Sequence, residues 1–281
     1  MKQLSAILLT GATVCLALSC TQGDKTVQLR FGLAPDATYS YDQTNRRNVR
    51  VTSGDSVLYE RVENYGASYS MQVIEAVDDT TAEVVERVTW TWEEPNKDDS
   101  AQIDTVERSR EMAMTMYATG RVSNLRVISG VDSSHFAYLR NYYEQGLPVF
   151  PAGEHVPGYT WTQTTKVVLP DQTLEASTTY RIKSLVREAG YDCAVLAFDG
   201  LLIMPLAPDP SDSTQKSGID RIQTTGVIYF AYKEGAVVLQ RERWVIDGDR
   251  SQINDDGEQI NYKMAVELDT EITITGITYG S

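Results

Sequence analysis

The chain has 281 residues, with 39 acidic against 25 basic side chains and a formal net charge of −14. Nucleic acid and anionic lipid headgroups are therefore poor partners, because both bind to basic surfaces. Hydrophobic residues make up 42% of the chain and charged residues 23%. This composition is that of a globular protein, and the length allows one large β domain or two smaller ones.

The N-terminus has the form of an export signal. Its apolar stretch, Leu4 to Leu18, is shorter than the roughly 20 residues of a membrane-spanning helix. The following segment Leu16–Cys20 (LALSC) resembles the lipobox of bacterial lipoproteins, in which the signal is cut before a cysteine that is then acylated. The resemblance implies a signal peptide at 1–19, lipid attachment at Cys20 and a tether at 20–26. The alternative is an ordinary signal peptide cut elsewhere, with Cys20 not involved.

The resemblance also implies a place in the cell. Thr21, and not Asp, follows Cys20, which in the enterobacterial sorting rule favours the outer membrane. We therefore expect an outer-membrane lipoprotein of the bacterial cell envelope, and the sequence leaves open whether it faces the periplasm or the cell surface. The membrane, reached through the lipid anchor, is the expected partner. Cys193 would then have no cysteine to pair with, and we expect it to be a buried, inert thiol.

Apolar and polar residues alternate with a period of two through most of the chain. The pattern is clearest at 260–274, where seven of the eight even positions are apolar. Such alternation predicts antiparallel strands with one polar face, since strands buried on both faces form continuous apolar runs. The predicted strands are 39–51, 69–77, 84–92, 121–128, 159–169, 180–186, 227–232, 237–246 and 260–274, with 193–204 as a central strand.

One amphipathic helix is predicted at 135–145. His135, Tyr138, Leu139 and Tyr142 lie at helical spacing, polar residues at 132–134 can cap the start, and a Gly-Leu-Pro sequence ends it. We expect this helix to dock on a sheet.

The two halves of the chain carry similar segments in the same order. Offsets of 120, 111 and 115 residues relate three pairs of segments, although alternating strands can also match by coincidence. The pairs are Tyr39–Thr44 with Tyr159–Thr164, Ser68–Val73 with Thr179–Ser184, and Tyr117–Val122 with Tyr232–Val237.

The predicted fold is therefore mainly β. We expect one or two strongly curved antiparallel sheets, or an unclosed barrel. Two similar β meanders, at 27–130 and 158–281, build it, and the helix and a linker at 131–157 lie between them.

Three segments, with the lipobox, resemble a family of uncharacterised lipoproteins of Bacteroidota. They are Leu29–Tyr41 (LRFGLAPDATYSY), Pro148–Pro151 (PVFP) and Gly158–Trp161 (GYTW). The resemblance implies location and architecture but no activity. The predicted architecture is also distantly similar to that of periplasmic lipoprotein and lipid carriers, whose curved sheet wraps around acyl chains.

No complete catalytic motif is present in the sequence: Ser213 and Lys216 have Ser-x-x-Lys spacing, but the other serine-hydrolase partners are missing, so a solvated loop is favoured. The two histidines, His135 and His155, stand apart from any nucleophile, metal or phosphate-loop pattern. We predict no enzyme activity, no catalytic residue, no cofactor and no metal. Five residues do have the spacing of a calcium loop, but Gln252 replaces the required glycine, so a polar hairpin loop is favoured. The five are Asp247, Asp249, Ser251, Asp255 and Glu258.

Two functions are favoured by these patterns, and an enzyme comes third, since only a cleft with convergent carboxylates of raised pKa would revive it. The leading hypothesis is a non-catalytic lipoprotein that holds a hydrophobic or amphipathic ligand on a concave sheet face. The alternative is an envelope scaffold or protein-interaction module with a fully packed core. An apolar cavity between sheet and helix would favour the first, and dense packing there the second.

Overall fold

The protein is described by a computed structural model covering residues 25–95, 103–132, 136, 139–140, 143, 148–168, 172–206, 217–253 and 257–280. The signal peptide, Cys20, His135 and most of the predicted helix lie outside the described residues. The helix therefore stays a prediction. Three apolar residues of that segment, Phe136, Leu139 and Tyr143, are described and pack against the core.

The described residues form thirteen strands. Eleven of them make one antiparallel sheet in the order β6-β5-β4-β3-β2-β13-β12-β11-β10-β9-β8, and β1 pairs with β7. The strands are β1 Val27–Gln28, β2 Thr38–Ser53, β3 Ser56–Asp78, β4 Thr81–Pro95, β5 Ile103–Tyr117, β6 Val122–Ser129, β7 Glu154–His155, β8 Thr160–Val168, β9 Thr173–Glu188, β10 Tyr191–Leu206, β11 Ser217–Ala231, β12 Ala236–Ile253 and β13 Gln259–Thr278.

The prediction of a mainly β, antiparallel and unclosed sheet is confirmed. Strands β2 to β6 form one meander and β8 to β13 form a second, and β13 pairs with β2 from Lys263↔Thr52 to Thr278↔Thr38. Both meanders therefore belong to one continuous sheet. The paired sequence segments fall in β2 and β8, in β3 and β9, and at the β5–β6 and β11–β12 turns. The duplication itself stays a prediction.

Strand β5 is absent from the sequence-based prediction, and several other strands are longer than predicted. In β5, the register places Arg108 and Arg110 opposite Trp90 and Val88, on the face that is otherwise apolar. Two charged side chains at these positions hide the alternation. Strand β3 begins at Ser56, whereas its predicted start is residue 69. The prediction misses the first half of the strand because apolar and polar residues do not alternate regularly there.

The core lies at one end of the sheet. We call this end the base; it carries the β3–β4, β5–β6, β9–β10 and β11–β12 turns, and the opposite end carries the tips. The face that bears the buried Tyr41, Val84, Met112, Leu196 and Ile228 is the core face. The other face is the polar face.

Segment 148–150 shows that the sheet is curled. The Phe150 N–H donates to the Thr119 carbonyl in the β5–β6 turn (2.7 Å), and Trp161 Nε1 of β8 donates to the Val149 carbonyl (3.2 Å). In a flat sheet the edge strands β6 and β8 would lie about 48 Å apart, at about 4.8 Å per strand. Both edges therefore curve toward one segment, although the described parts of β6 and β8 do not pair with each other.

The N-terminal segment fills the curled base. Phe31 N–H donates to the Ala118 carbonyl (2.7 Å) and Gly32 N–H to the Gly235 carbonyl (2.9 Å). The Phe31 ring stacks on Phe150 at 5.1 Å and meets the edge of Phe230 at 5.3 Å. Gly235 has φ +69°, and a Cβ there would lie 2.0 Å from the Gly32 nitrogen, so only glycine allows this close approach.

Removal of the Phe150 ring should destabilise the fold strongly. The residue is 2% exposed and contacts the rings of Phe31 and Phe230, so Phe150→Ala should lower the unfolding free energy by about 3–5 kcal/mol. Urea unfolding followed by circular dichroism measures the change.

Two variants serve as controls for this measurement. Phe150→Leu should lower the unfolding free energy by less than half as much as Phe150→Ala, because leucine keeps most of the volume of the phenylalanine side chain. Leu201→Ala, at a position that is 46% exposed, should change stability by at most about 0.5 kcal/mol. Equal losses for all three variants would contradict a ring cluster that holds the base together.

Candidate functional site

Above the core, the core face presents straight rows of side chains across five strands. The register aligns one row of apolar residues, which we call the apolar row, and one row nearer the base that contains Asn45, Thr270 and Glu242, which we call the polar row. The apolar row is Val49, Val266, Ile246, Ile222 and Leu202, and the polar row is Asn45, Thr270, Glu242, Gly226 and Phe198.

The apolar row lies outside the packed core clusters of the described residues. Val266 is buried, while Ile246, Ile222, Leu202 and Val49 are partly exposed. Five strands span about 19 Å at their ordinary spacing. A contiguous and partly exposed apolar surface of this kind marks a site of interaction.

Glu242 is the chemically distinctive residue of the polar row. Its carboxylate accepts hydrogen bonds from Gln240 Nε2 (2.7 Å) and from Trp244 Nε1, and no basic residue of the described part of the chain forms an ion pair with it. Burial raises the pKa of the Glu242 carboxyl, and the two hydrogen bonds only partly oppose this shift. The row therefore holds a desolvated carboxyl beside an apolar surface, a combination typical of binding sites.

The other polar side chains of the row satisfy one another. Asn45 is 5% exposed, and its Oδ1 accepts from Thr270 Oγ1 (2.9 Å) and from Gln43 Nε2 (2.8 Å). These neutral hydrogen bonds fix the orientation of the Asn45 amide next to the filled base.

A buried ion pair lies on the core face nearer the tips. Asp220 is 1% exposed and accepts from Arg250 Nε (2.9 Å) and from Arg250 Nη2. Gly248 makes room for the carboxylate, since a Cβ there would lie 2.4 Å from Asp220 Oδ1. The bidentate geometry offsets the cost of removing both charges from water.

A second buried charge pair lies in the first meander. Glu86 is partly buried and accepts hydrogen bonds from Arg110 (3.4 Å) and from the Tyr143 hydroxyl. Burial raises the pKa of Glu86, against the opposing effects of Tyr143 and Arg110. The Arg110 guanidinium also lies 4.7 Å from the centre of the Trp90 ring. This group ties Tyr143 to β4 and β5 and is structural.

A cleft of about 1090 Å³ crosses the polar face from β5 to β11. Exposed ion pairs border it, including Arg241–Glu271 (2.7 Å) and Arg243–Glu267 (3.0 Å). Its polar-face lining residues are Thr44, Arg46, Asn64, Thr91, Glu93, Thr105, Thr225, Val227, Arg241, Arg243, Asp269 and Glu271. This cleft is not the apolar cavity between sheet and helix that a ligand carrier would have, because it lies on the polar face of the sheet. In the described part of the chain, the aromatic side chains of residues 31, 150 and 230 fill the base.

The cysteine and histidine sites lie away from the two rows. Cys193 is a buried free thiol, as expected, and burial raises its pKa to about 11. His155 lies in β7 and stacks on Tyr159, with 4.0 Å between ring centres.

The first three residues with calcium-loop spacing do not lie in a loop. Asp247, Asp249 and Ser251 lie within β12, which continues to Ile253, so the hairpin loop is shorter than the sequence indicated. Alternate residues of a strand lie about 6.6 Å apart along it, whereas calcium ligands converge on one point. Asp255 lies outside the described residues. Within the described ranges, no group of three or more acidic, histidine or cysteine side chains could hold a metal ion.

No protein-family model and no curated protein matches the chain. Among solved structures, it is similar to a predicted lipoprotein from Parabacteroides distasonis ATCC 8503, at 10% identity over 88% of this chain and 97% of that chain, with a TM-score of 0.31. It is also similar to an outer membrane channel from Pseudomonas putida F1, at 10% identity over 87% of this chain and 97% of that chain, with a TM-score of 0.24.

A third similar structure is OmpF of Salmonella typhi in complex with daunomycin, at 8% identity over 86% of this chain and 99% of that chain, with a TM-score of 0.28. In the described part of the chain, no helix has the length and apolar character needed to cross a membrane. At these identities and TM-scores, none of the three likenesses assigns a function to this chain.

The buried carboxyl of Glu242 predicts a pH-dependent effect of Glu242→Gln. A carboxyl whose pKa is raised on folding binds its proton more tightly in the folded state. The stability that it contributes to the folded protein is therefore lost as pH rises from the unfolded-state pKa through the folded-state pKa. Glutamine cannot ionise. The melting temperature of the variant, relative to that of the wild type, should therefore increase from about pH 4 to about pH 8. A difference that stays constant over this range in differential scanning calorimetry would contradict a desolvated Glu242.

Proposed function

We propose that the protein is a non-catalytic lipoprotein of the bacterial cell envelope, anchored at Cys20, that binds an amphipathic ligand on the core face. The apolar row carries this proposal, because its five aligned side chains on five neighbouring strands lie outside the packed core clusters and four of them are partly exposed. The lipobox-like segment before Cys20 supports the location.

The ligand must be amphipathic because of what borders the apolar row. Toward the base, one row that includes Arg47, Leu268 and Trp244 separates the apolar row from the polar row with Glu242 and Asn45. Toward the tips, the next row holds Asp220, which pairs with Arg250. An acyl chain can lie across the apolar side chains only if its polar end reaches one of these hydrogen-bonding borders or water. Each methylene that leaves water contributes about 0.8 kcal/mol.

Adjacent residues of β12 provide a matched test of ligand binding. Ile246 belongs to the apolar row, while Val245 lies on the polar face opposite Gln223 and Glu267. The binding of a lysophosphatidylethanolamine labelled with a fluorescent NBD group is measured by fluorescence titration. Ile246→Lys should weaken binding roughly tenfold or more, because a charge then has to be desolvated beneath the acyl chain.

Val245→Lys is the control, since it adds the same charge to the same strand on the other face. Its dissociation constant should stay within about threefold of the wild-type value, equivalent to less than 1 kcal/mol. Equal weakening by both variants, or no binding by the wild type, would contradict the proposal. Absence of binding together with a protein partner crosslinked at the same face would favour the scaffold alternative.

The anchor is tested separately by metabolic labelling. The wild type should incorporate radioactive palmitate and remain with the membrane fraction, since two or more acyl chains give stable anchoring. Cys20→Ala should lose the label and leave the membrane, whereas Cys193→Ala, which changes the buried thiol, should retain both properties. Membrane retention of Cys20→Ala would contradict lipid attachment at this residue.

A further inference from the structure

The first described residues of the chain are fixed at the base of the sheet. Lys25 Nζ donates to the Tyr232 hydroxyl (3.0 Å), and Thr26 Oγ1 donates to Glu154 Oε2 (2.6 Å). Val27 pairs with His155 in the small β1–β7 sheet. Tyr232 and Lys233 lie between β11 and β12, at the base, so the chain enters the fold at this end.

Four residues, 21–24, separate Cys20 from Lys25. Even a fully extended chain covers only about 3.5 Å per residue, so the Cα of Cys20 lies within about 18 Å of that of Lys25. The tips are much farther away. Strand β12 alone has 18 residues from Ala236 at the base to Ile253, a contour of about 59 Å at about 3.3 Å per residue.

We propose that the base of the sheet faces the bilayer that holds the Cys20 acyl chains and that the tips point away from it. The inference rests on the lipid attachment in the proposed function. Ile246 follows Ala236 by ten residues, so the apolar row lies about 33 Å above the base along the strand. An amphiphile bound on this row is then held away from the anchoring leaflet.

Charge at the base does not determine this orientation, which rests on the length of the tether. Asp78, Asp79 and Glu188 lie beside the turns at this end, and the cationic Lys233 is paired with Asp192 (2.5 Å). Lys25, Arg30 and Arg121 lie at the same end, so the base carries charges of both signs and gains little net attraction from anionic headgroups. The short tether therefore keeps the base close to the leaflet, while charge does not pull the long faces of the sheet onto it.

Two single-cysteine labels measure the orientation. The full lipidated chain is reconstituted in vesicles of phosphatidylcholine with a trace of rhodamine-labelled phosphatidylethanolamine. A donor dye is attached through Asp79→Cys at the base or Asp55→Cys in the β2–β3 turn at the tips. Both positions are exposed and Cys193 is buried, so each variant has one reactive thiol once Cys20 is acylated.

Energy transfer to the bilayer should depend strongly on the label position. The two sites are separated by a strand contour of about 75 Å, and we expect transfer from the Asp79→Cys label to be roughly threefold or more that from the Asp55→Cys label. Insertion of a 20-residue Gly-Ser linker between Gly23 and Asp24 is the control. It should bring the two transfer efficiencies together, because the base is then free to leave the surface.

Equal transfer from both labels with the native tether, or greater transfer from the tips, would overturn the orientation. Flotation of the vesicles before the measurement tests the anchor independently. If the protein does not float with them, lipid attachment has failed. An azide-bearing residue at position 20, coupled to a strained-alkyne lipid, then restores the same geometry and leaves the introduced cysteine as the one thiol for the donor. The orientation is then judged by the same comparison of labels.

Discussion

The curling of the eleven-stranded sheet around a filled base is the constraint on which the other features depend. Segment 148–150 hydrogen-bonds both to the β5–β6 turn and to Trp161 of β8, which brings the two edges of the sheet toward one place. A curled sheet needs apolar side chains inside the curve, and the rings of Phe31, Phe150 and Phe230 supply them. Burial of each such ring contributes about 1.5–3 kcal/mol.

The filled base also decides where the polar row begins. Gly226 allows the Phe198 ring to lie against it, since a Cβ at 226 would come within 2.5 Å of Phe198 Cζ. Beyond this contact the cluster of phenylalanine rings ends, and Asn45 and Glu242 accept hydrogen bonds from neutral donors. The boundary between the packed base and the partly exposed rows is therefore a result of packing at these particular positions.

Much of the fold follows from local pattern, and the site does not. Alternation at 260–274 predicted β13 and its two faces, because each side chain of a strand points opposite to its neighbour. The apolar row needs the register as well: Val49 and Val266 are directly paired although 217 positions separate them in the sequence. No local pattern specifies a pairing of that range, since a slip of one residue reverses every side chain.

Glu242 did leave a signal in the sequence. It stands two and four residues before Trp244 and Ile246, so the alternation that predicts the strand also places this carboxylate on the apolar face. Asp220 occupies the same kind of position relative to Ile222. A charged residue in phase with an apolar alternation indicates either a buried ion pair or a desolvated single charge. The partner distinguishes these two cases. Asp220 pairs with the charged Arg250, whereas Glu242 accepts hydrogen bonds from the neutral Gln240 and Trp244.

The net charge of the chain bears on how such a protein is held at a membrane. On the polar face, Arg241 and Arg243 are matched by Glu271 and Glu267, so this cleft region supplies no cationic surface for anionic headgroups. Exposed pairs of this kind contribute at most about 1 kcal/mol each, and salt weakens them. The proposed attachment through acyl chains at Cys20 does not need a cationic surface of this kind. A net negative charge also favours the solubility of the long sheet.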